Sequence, residues 1–476
     1  MEVYRLGLVI YNDLTRKKEP FVPLKEGEVG FYSCGPTVYD YFHIGNARPF
    51  IVFDVFRRYL EDLGYKVTFV QNFTDIDDKM INRANEEGIT VKELADRFIK
   101  EYFEDTDSLG VRRATIHPRA TEHMEDIVRT VEILVEKGHA YVVNGDVFFS
   151  VESFTEYGKL SKQSIEDLQS GARIDINERK RHPLDFALWK SQKPGEPAWE
   201  SPWGMGRPGW HIECSVMSTK YLGDTFDIHS GGCDLIFPHH ENEVAQAEAA
   251  TGVQFVRYWL HNGYLLINKE KMSKSLGNFL TVRNARKKFS PLAIRYFMLS
   301  AHYRSPINFS EEGLSQATGA VERLRNCWTD LQYALQNREM TKKEGTQVFV
   351  DEIKQAENKF YEEMNDDFNT AGALGAVFEV VRSVNTYLKE NTTLDEEACK
   401  AAEQFFRRID NIMGILGFEA QEETLNVSEI EAMIEERTAA RKSKDFAKSD
   451  AIRDELAKKG IILEDTPEGT KWKKQL

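Results

Sequence analysis

Residues 29–72 carry the pattern that most limits how this chain can fold. "VGFYS" is a short apolar run. "ARPFIVFDVFRRYLEDLG" then places Phe50, Phe53, Phe56 or Arg57, and Leu60 at helical spacing, Gly64 ends that helix, and "KVTFVQN" is a second apolar run. Apolar residues three or four apart between two short strand-like runs predict a βαβ unit of a parallel sheet. The same signature returns at "FDIHSGG" (strand and turn) and "PHHENEVAQAEAATG", a helix with Pro238 near its first position and Gly252 after its end. Two mononucleotide-binding halves are expected. Between them, residues 112–205 hold their own short strands ("YVVNGDVFFSV") and a Pro/Gly/Trp-rich run, "KPGEPAWESPWGMGRPGW", which reads as a domain-sized insertion.

After Ser310 the pattern changes. Leu314, Ala317, Val321, Leu324, Trp328, Leu331 and Leu335 fall three or four apart behind a candidate N-cap, Ser310, and further helices are expected around Leu374–Leu388 and Phe405–Leu416. Polar "EAQEETLN" (419–426) reads as a linker to a small basic module. A chain of 476 residues is too long for one core. The expected division is a Rossmann-like domain in two halves (1–111 and 206–309), an inserted connective domain (112–205), a helical bundle (310–418), and a linker with a basic module (419–476).

Composition excludes several classes. There is no run of ~18 apolar residues and no charged, apolar, small-residue leader pattern, so a soluble, cytoplasmic protein with no membrane partner is expected. The five cysteines (34, 214, 233, 327, 399) are odd in number and scattered, which suits reduced thiols better than a disulfide framework. Net charge is −15, against indiscriminate polyanion binding. From Arg437 to the end, however, eleven Lys/Arg face seven Asp/Glu, so that segment is +4 and the rest −19. Arg437, Arg441, Trp472 and Lys473 are the candidate nucleic-acid contacts there, through stacking or pairing with bases; a core role for Trp472 is an equal alternative.

Two short motifs carry chemistry. His43-Ile44-Gly45-Asn46 lies between the first strand and its helix, with Asn46 placed as N-cap and Gly45 allowing close backbone approach, which is a phosphate site by geometry. An isolated match of four residues would be an ordinary βα turn. "KMSKS" (271–275), preceded by "INKE" and followed by "LGN", gathers Lys269, Lys271 and Lys274, three ammonium groups suited to clamp a triphosphate. A lone Lys/Ser run is more often a solvated loop, but the two motifs together make coincidence implausible. They resemble the nucleotide-binding motifs of class I aminoacyl-tRNA synthetases. Asn46 stands where that family usually has a second histidine, and its amide can donate to a phosphate oxygen without carrying charge.

A metal site is read from "YSCGPTVYD", "WHIECS" and "FPHHENE". His239 and Glu243 are spaced i, i+4 and His240 and Glu243 i, i+3, so spacing does not choose between the histidines. Thiolates from Cys34 and Cys214 would complete a set whose sulfur and imidazole character points to zinc. Each cysteine taken singly would be a small buried hydrophobe.

Together with "FTDIDDKM", "DFALWK", "SPWGMGRPGWHIECS", "GGCDLIFPHHENE", "MNDDFNTAGAL" and "GIILEDTPEGTKW", these stretches resemble the cysteinyl-tRNA synthetase family along nearly the whole chain. The resemblance implies an α/β fold: a class I synthetase Rossmann-like parallel sheet with an inserted domain, then a helical bundle and a small C-terminal α+β module. It implies one zinc held by Cys34, Cys214, His239 and Glu243; contacts to substrate cysteine from Thr37, Thr74 and Trp210; a ribose contact from Asp234; and ATP contacts from His43, Gly45, Asn46, Lys271 and Lys274. The partners implied are L-cysteine, ATP with Mg²⁺ and tRNA-Cys, acting on a monomer. The metal suits the task, because a hydrophobic pocket separates near-isosteres only ~10–200-fold, whereas a thiol ionises readily on zinc and a hydroxyl does not.

Two rival readings remain in view. A tRNA-free cysteine ligase of the mycothiol type would share the activation step, but the helical bundle and basic module after the core argue against it. A noncatalytic RNA-binding paralogue would not need the complete ATP clamp. Cys327 and Cys399 are read as packing or surface residues, Cys233 as matching no ligand position, His229 as a strand-end histidine or nucleotide contact, and His211 and His240 as groups orienting the ligands.

Overall fold

The computed structural model describes residues 7–165, 179–267, 270–271, 280–342, 346–417, 427–466 and 469–474. The βαβ unit is present as β1 (Glu28–Ser33), α1 (Ile44–Asp62) and β2 (Lys66–Gln71). A helix over Val91–Ser108 (α2) follows, opened by a reciprocal capping box between Thr90 and Glu93. The stretch 112–205 contributes β3 (Ala140–Val143), β4 (Asp146–Phe149) and β5 (Phe186–Ser191), which with β6 (Gly206–Pro208) form an antiparallel sheet of their own. The chain then forms α3 (Trp210–Leu222), β7 (Phe226–Gly232), α4 (Glu241–Thr251) and β8 (Val256–Asn262).

The central sheet is parallel, in the order β8-β7-β1-β2, with Phe31 opposite Phe69 on one side and Ile228 on the other. Parallel strands buried on both faces read as near-continuous apolar runs, which is why "VGFYS" and "KVTFVQN" stand out. Phe31 is fully buried and meets Phe69 edge to face at 4.9 Å. Burying such a side chain is worth roughly 1.5–3 kcal/mol. Gly35, just after β1, is fixed by close approach: a Cβ there would lie 1.7 Å from the Asn72 carbonyl oxygen. The two strand ends are thereby pinched together.

Two helix starts differ from the sequence expectation. α1 begins at Ile44, not after Asn46; His43 is its cap, and its Nδ1 accepts the Asn46 N–H at 3.2 Å. An imidazole nitrogen does here what a Ser or Asp oxygen usually does. Phe237 is extended (φ −135°, ψ 133°), so the helix expected from Pro238 becomes regular only at Glu241.

Cα packing divides the chain into two compact units: 1–285 with 303–308 and 365–368, and 286–302, 309–364 and 369–476. The second contains α5 (Pro291–Leu299), α6 (Glu311–Asn337), most of α7 (Gln347–Asn365), α8 (Thr370–Glu390) and α9 (Glu396–Met413). Ser310 caps α6 through the Gly313 N–H, as expected. α7 was not anticipated. Phe349 stacks on Tyr387 at 4.3 Å within this group, and Cys327 and Cys399 are buried packing residues. The C-terminal module is a helix pair, α10 (Val427–Lys442) and α11 (Phe446–Lys458), with an antiparallel hairpin, β9 (Ile461–Thr466) and β10 (Gly469–Lys474). No helix among the described residues is long and apolar enough to cross a membrane.

Candidate active site and metal centre

The C-terminal ends of β1 and β7 and the start of α4 bring the expected metal-site residues together, where an open α/β sheet offers a crevice. Ligand atoms of Cys34, His239, His240 and Glu243 all lie within 4.8 Å of one another, and all four residues are buried. Cys34 Sγ is 3.2 Å from His240 Nε2 and 3.7 Å from Glu243 Oε1, and His239 Nε2 is 3.0 Å from Glu243 Oε1. Cys214, at the start of the second turn of α3, is buried against Cys34 and His239. Two thiols, two imidazoles and a carboxylate in one buried group form a donor set that can hold a metal ion.

The remaining ring nitrogens of His239 and His240 are also engaged, whereas His229 Nδ1 is buried without a hydrogen-bond partner among the described residues. Glu243 Oε2 takes a hydrogen bond from His229 Nε2 at 2.8 Å. His261 Nδ1 donates to Asp13 Oδ2 at 2.7 Å, so its Nε2 accepts from His240 Nδ1 at 2.8 Å. That chain places the His240 lone pair on Nε2, facing Cys34. The 2.8 Å contact between His211 Nδ1 and His239 Nδ1 completes the network. His240 fits only because Gly231 has no side chain: a Cβ there would sit 2.8 Å from the His240 ring.

The electrostatics agree with a site that wants positive charge. Burial opposes ionisation of Glu243, but His229 and His239 outweigh it and hold the carboxyl at about 2. Burial likewise opposes a charged His239, and Glu243 with Cys214 overcomes it, raising this imidazole to about 10. The Cys214 thiol is drawn down to about 7, chiefly by its hydrogen bond with Cys34. Cys34 is pushed well up by burial and by Cys214, and burial pushes His211 and His240 well below the usual imidazole range.

Trp210, the first residue of α3, is half-exposed and stacks on His239 with ring centroids 4.1 Å apart. Thr37 and Thr74 face each other in a parallel backbone bridge, and the Thr74 hydroxyl donates to Glu213 Oε2 at 3.0 Å. Asp234 follows β7 in a single turn. The His43 turn is tied by backbone to the segment after the lysine run: Ile44 N–H donates to Leu280 O at 2.8 Å, and His43 bridges Thr281. Lys269 and Lys274 lie outside the described residues, and Lys271 is described in backbone only, paired with Leu266.

In the C-terminal module Arg437 is buried and holds Asp465 through two 2.8 Å bonds, and Arg441 reaches the same carboxylate at 2.6 Å. Trp472 packs on the small core of Ile430, Ile452, Leu456 and Ile461 and also lines a groove of ≈ 330 Å³ with Asp330, Glu464 and Lys471. The side chain of Lys473 lies outside the described residues.

Comparison with known proteins fixes the family. Residues 20–319 match the family described as tRNA synthetases class I (C) catalytic domain. The cysteine–tRNA ligase of Caldicellulosiruptor saccharolyticus is 56% identical over 463 residues, 97% of this chain and 98% of that protein. The chain belongs to the cysteine–tRNA ligase family. The remainder fits a cysteine–tRNA ligase too: residues 359–417 match a DALR domain, and 427–472 match the family described as cysteinyl-tRNA ligase anticodon binding domain. Mycobacterium tuberculosis methionyl-tRNA synthetase in complex with methionyl-adenylate shares the fold at a TM-score of 0.60 and 16% identity, over 81% of this chain and 92% of that one. An Agrobacterium radiobacter LeuRS–tRNA–LeuAMS complex does so at 0.62 and 11%, over 85% and 86%. At those identities the likeness concerns the fold alone.

Sequence reasoning missed Glu213, Asp13 and His261. Glu213 left a signal, lying between Trp210 and Cys214 one helical turn from the tryptophan. Asp13 left none, being 248 residues from its partner.

Proposed function

We propose that this chain activates L-cysteine with ATP and transfers it to tRNA-Cys, and that Cys34, Cys214, His239 and Glu243 hold a zinc ion on the floor of the cysteine pocket. Zinc bound there supplies a Lewis acid that favours a thiolate sulfur over a hydroxyl oxygen. The remaining work belongs to the chain. Because His43 Nδ1 accepts the Asn46 N–H, the ring proton of the neutral imidazole sits on Nε2, as a donor for a phosphate oxygen of ATP. The first turn of α1, with Gly45 and Asn46, adds the positive end of a long helix. Lys271 and Lys274 neutralise the charge that develops as the cysteine carboxylate attacks the α-phosphorus and pyrophosphate departs. Asp234 takes the ribose, while Thr37, Thr74 and Trp210 position the amino acid. The terminal ribose hydroxyl of the tRNA then attacks the adenylate carbonyl and AMP leaves.

The C-terminal module meets the anticodon end of the tRNA through Trp472 and its neighbours, with Arg437 and Arg441 holding the hairpin in place and Lys473 on its last strand. The division 1–111 with 206–309, 112–205, 310–418 and 419–476, a monomeric state and a cytoplasmic location complete the proposal. What carries it is 56% identity to a cysteine–tRNA ligase over 97% of the chain, joined to the buried thiol, imidazole and carboxylate group. Charging of tRNA-Cys with labelled cysteine, run beside cysteine-dependent ATP–pyrophosphate exchange, tests it. Both activities are expected; exchange without charging would leave a tRNA-free ligase, and neither would leave a binding protein.

A further inference from the structure

Glu101, Glu104 and Asp105 stand i, i+3 and i+4 apart on α2, a spacing at which like charges destabilise a helix unless a cation lies among them. Arg283 supplies one. Its Nη1 lies 2.5 Å from Glu101 Oε2, its Nη2 lies 3.1 Å from Glu104 Oε1 and 3.4 Å from Asp105 Oδ1, and its Nε donates to the same Asp105 oxygen. The guanidinium carbon is also 4.7 Å from the ring centre of Tyr41, and Tyr41 meets Phe98 of α2 edge to face at 5.5 Å. Tyr41 is two residues before His43. One side chain thus touches both α2 and the loop that leads into α1.

The backbone just before Arg283 is joined to that same loop. Ile44 N–H donates to Leu280 O at 2.8 Å, Val282 N–H donates to Phe42 O at 3.3 Å, and His43 and Thr281 face each other in an antiparallel bridge. A two-stranded pairing this short is marginal by itself. An arginine suits the task of anchoring it, because a planar fork can meet several carboxylate oxygens while its face rests on an aromatic ring. We propose that Arg283 is a positioning residue for the ATP step: held by α2 and Tyr41, it keeps 280–282 against 42–44 and so fixes where His43 presents its Nε2 proton. This rests on the reading of His43 as an ATP contact. The Asn46 N–H bond at Nδ1 sets the ring of His43, and Arg283 sets its backbone.

Cysteine-dependent ATP–pyrophosphate exchange on the full-length, zinc-loaded protein tests this in a cycle of wild type, Arg283→Ala, His43→Ala and the double variant. Cysteine binding by calorimetry, zinc content and melting temperature are recorded for each. Misplacing a reacting group by about 1 Å can cost ~100-fold, so Arg283→Ala is expected to lower kcat/KM for ATP by ~10-fold or more while cysteine affinity and zinc content change by less than about twofold. In the His43→Ala background the same substitution should cost less than about threefold, because residues that act through one contact are not additive. Arg283→Lys, which keeps the charge but loses the fork, should fall between wild type and Arg283→Ala; it takes the place of Arg283→Ala in the cycle should that variant fail to fold. Additive losses, equal weakening toward ATP and cysteine, or loss of zinc would make Arg283 a general support of the fold and overturn the inference. Unchanged exchange would overturn it as well. An ATP dependence untouched by His43→Ala would instead overturn the reading of His43, and this inference with it.

Discussion

The floor of the candidate site and the C-terminal module treat polar side chains in opposite ways. In the first, Cys34, Cys214, His229, His239, His240 and Glu243 are buried side by side, the two thiols within an apolar core of the catalytic unit, and each depends on its neighbours for its charge or hydrogen bond. In the second, four aliphatic side chains, Ile430, Ile452, Leu456 and Ile461, make the core, and charged residues such as Lys459 with Glu429 and Lys448 with Glu436 pair in solvent. Buried polar groups weaken a fold unless every partner is present. A cluster of this density is retained for its chemistry, whereas the module's charges sit where they cost little.

Breaking the site floor has the largest expected effect. Cys214→Ala removes one proposed zinc ligand, and zinc affinity and cysteine-dependent exchange should each fall by more than ~100-fold, since even residues behind metal ligands commonly cost 10–100-fold. Zinc analysis and exchange rates check this, and retention of both would separate Cys214 from the metal. The matching cut in the module is Leu456→Ala. Leu456 is fully buried, and its loss should destabilise the module by ~2–4 kcal/mol, read by hydrogen exchange in 427–474. Charging of tRNA should drop while exchange persists, and an equal drop in both would show the two regions to be inseparable.

His117 sharpens the comparison within the catalytic unit. Its Nε2 accepts the Ala114 N–H at 3.0 Å and its Nδ1 lies 3.0 Å from Gln71 O, so the ring is held neutral and burial lowers it to about 4. The unfolded chain binds this proton near pH 6.5 and the folded chain only near 4. Stability present above pH 6.5 is therefore lost as the pH falls toward 4, by at most about 3 kcal/mol. Thermal melts across pH 4–7 should show this slope, and His117→Asn should flatten it. The smallest effect belongs to Lys459→Ala in the module, which should leave the melting temperature unchanged because its ammonium pairs with Glu429 in solvent.

The sheet and several of the long helices were legible because apolar periodicity is a local signal, although α2 and α7 were not anticipated. β1, α1 and β2 follow from Phe50, Phe53 and Leu60 set between two strand runs. Helix beginnings were less legible where unusual groups do the capping or the backbone kinks: His43 replaced the expected Asn46, and an extended Phe237 delayed α4. The i, i+4 relation of His239 and Glu243 nonetheless brought Nε2 and Oε1 to 3.0 Å, since the turn before α4 keeps the two side chains on one side. Spacing left His239 and His240 undecided, and the structure brings both into the group. Asp13 and His261 joined through tertiary contact, which no local pattern encodes. Glu213 was visible in "WHIECS" but looked like an ordinary helical acid until its burial was known.

The most direct test of the account is zinc content measured together with cysteine- and serine-dependent ATP–pyrophosphate exchange, on one preparation before chelation, after chelation and after zinc is restored. The account predicts about one zinc per chain, exchange with cysteine and not serine, loss of that exchange in the chelated protein and its return with zinc. Cysteine-dependent exchange that persists undiminished in zinc-free protein would contradict it.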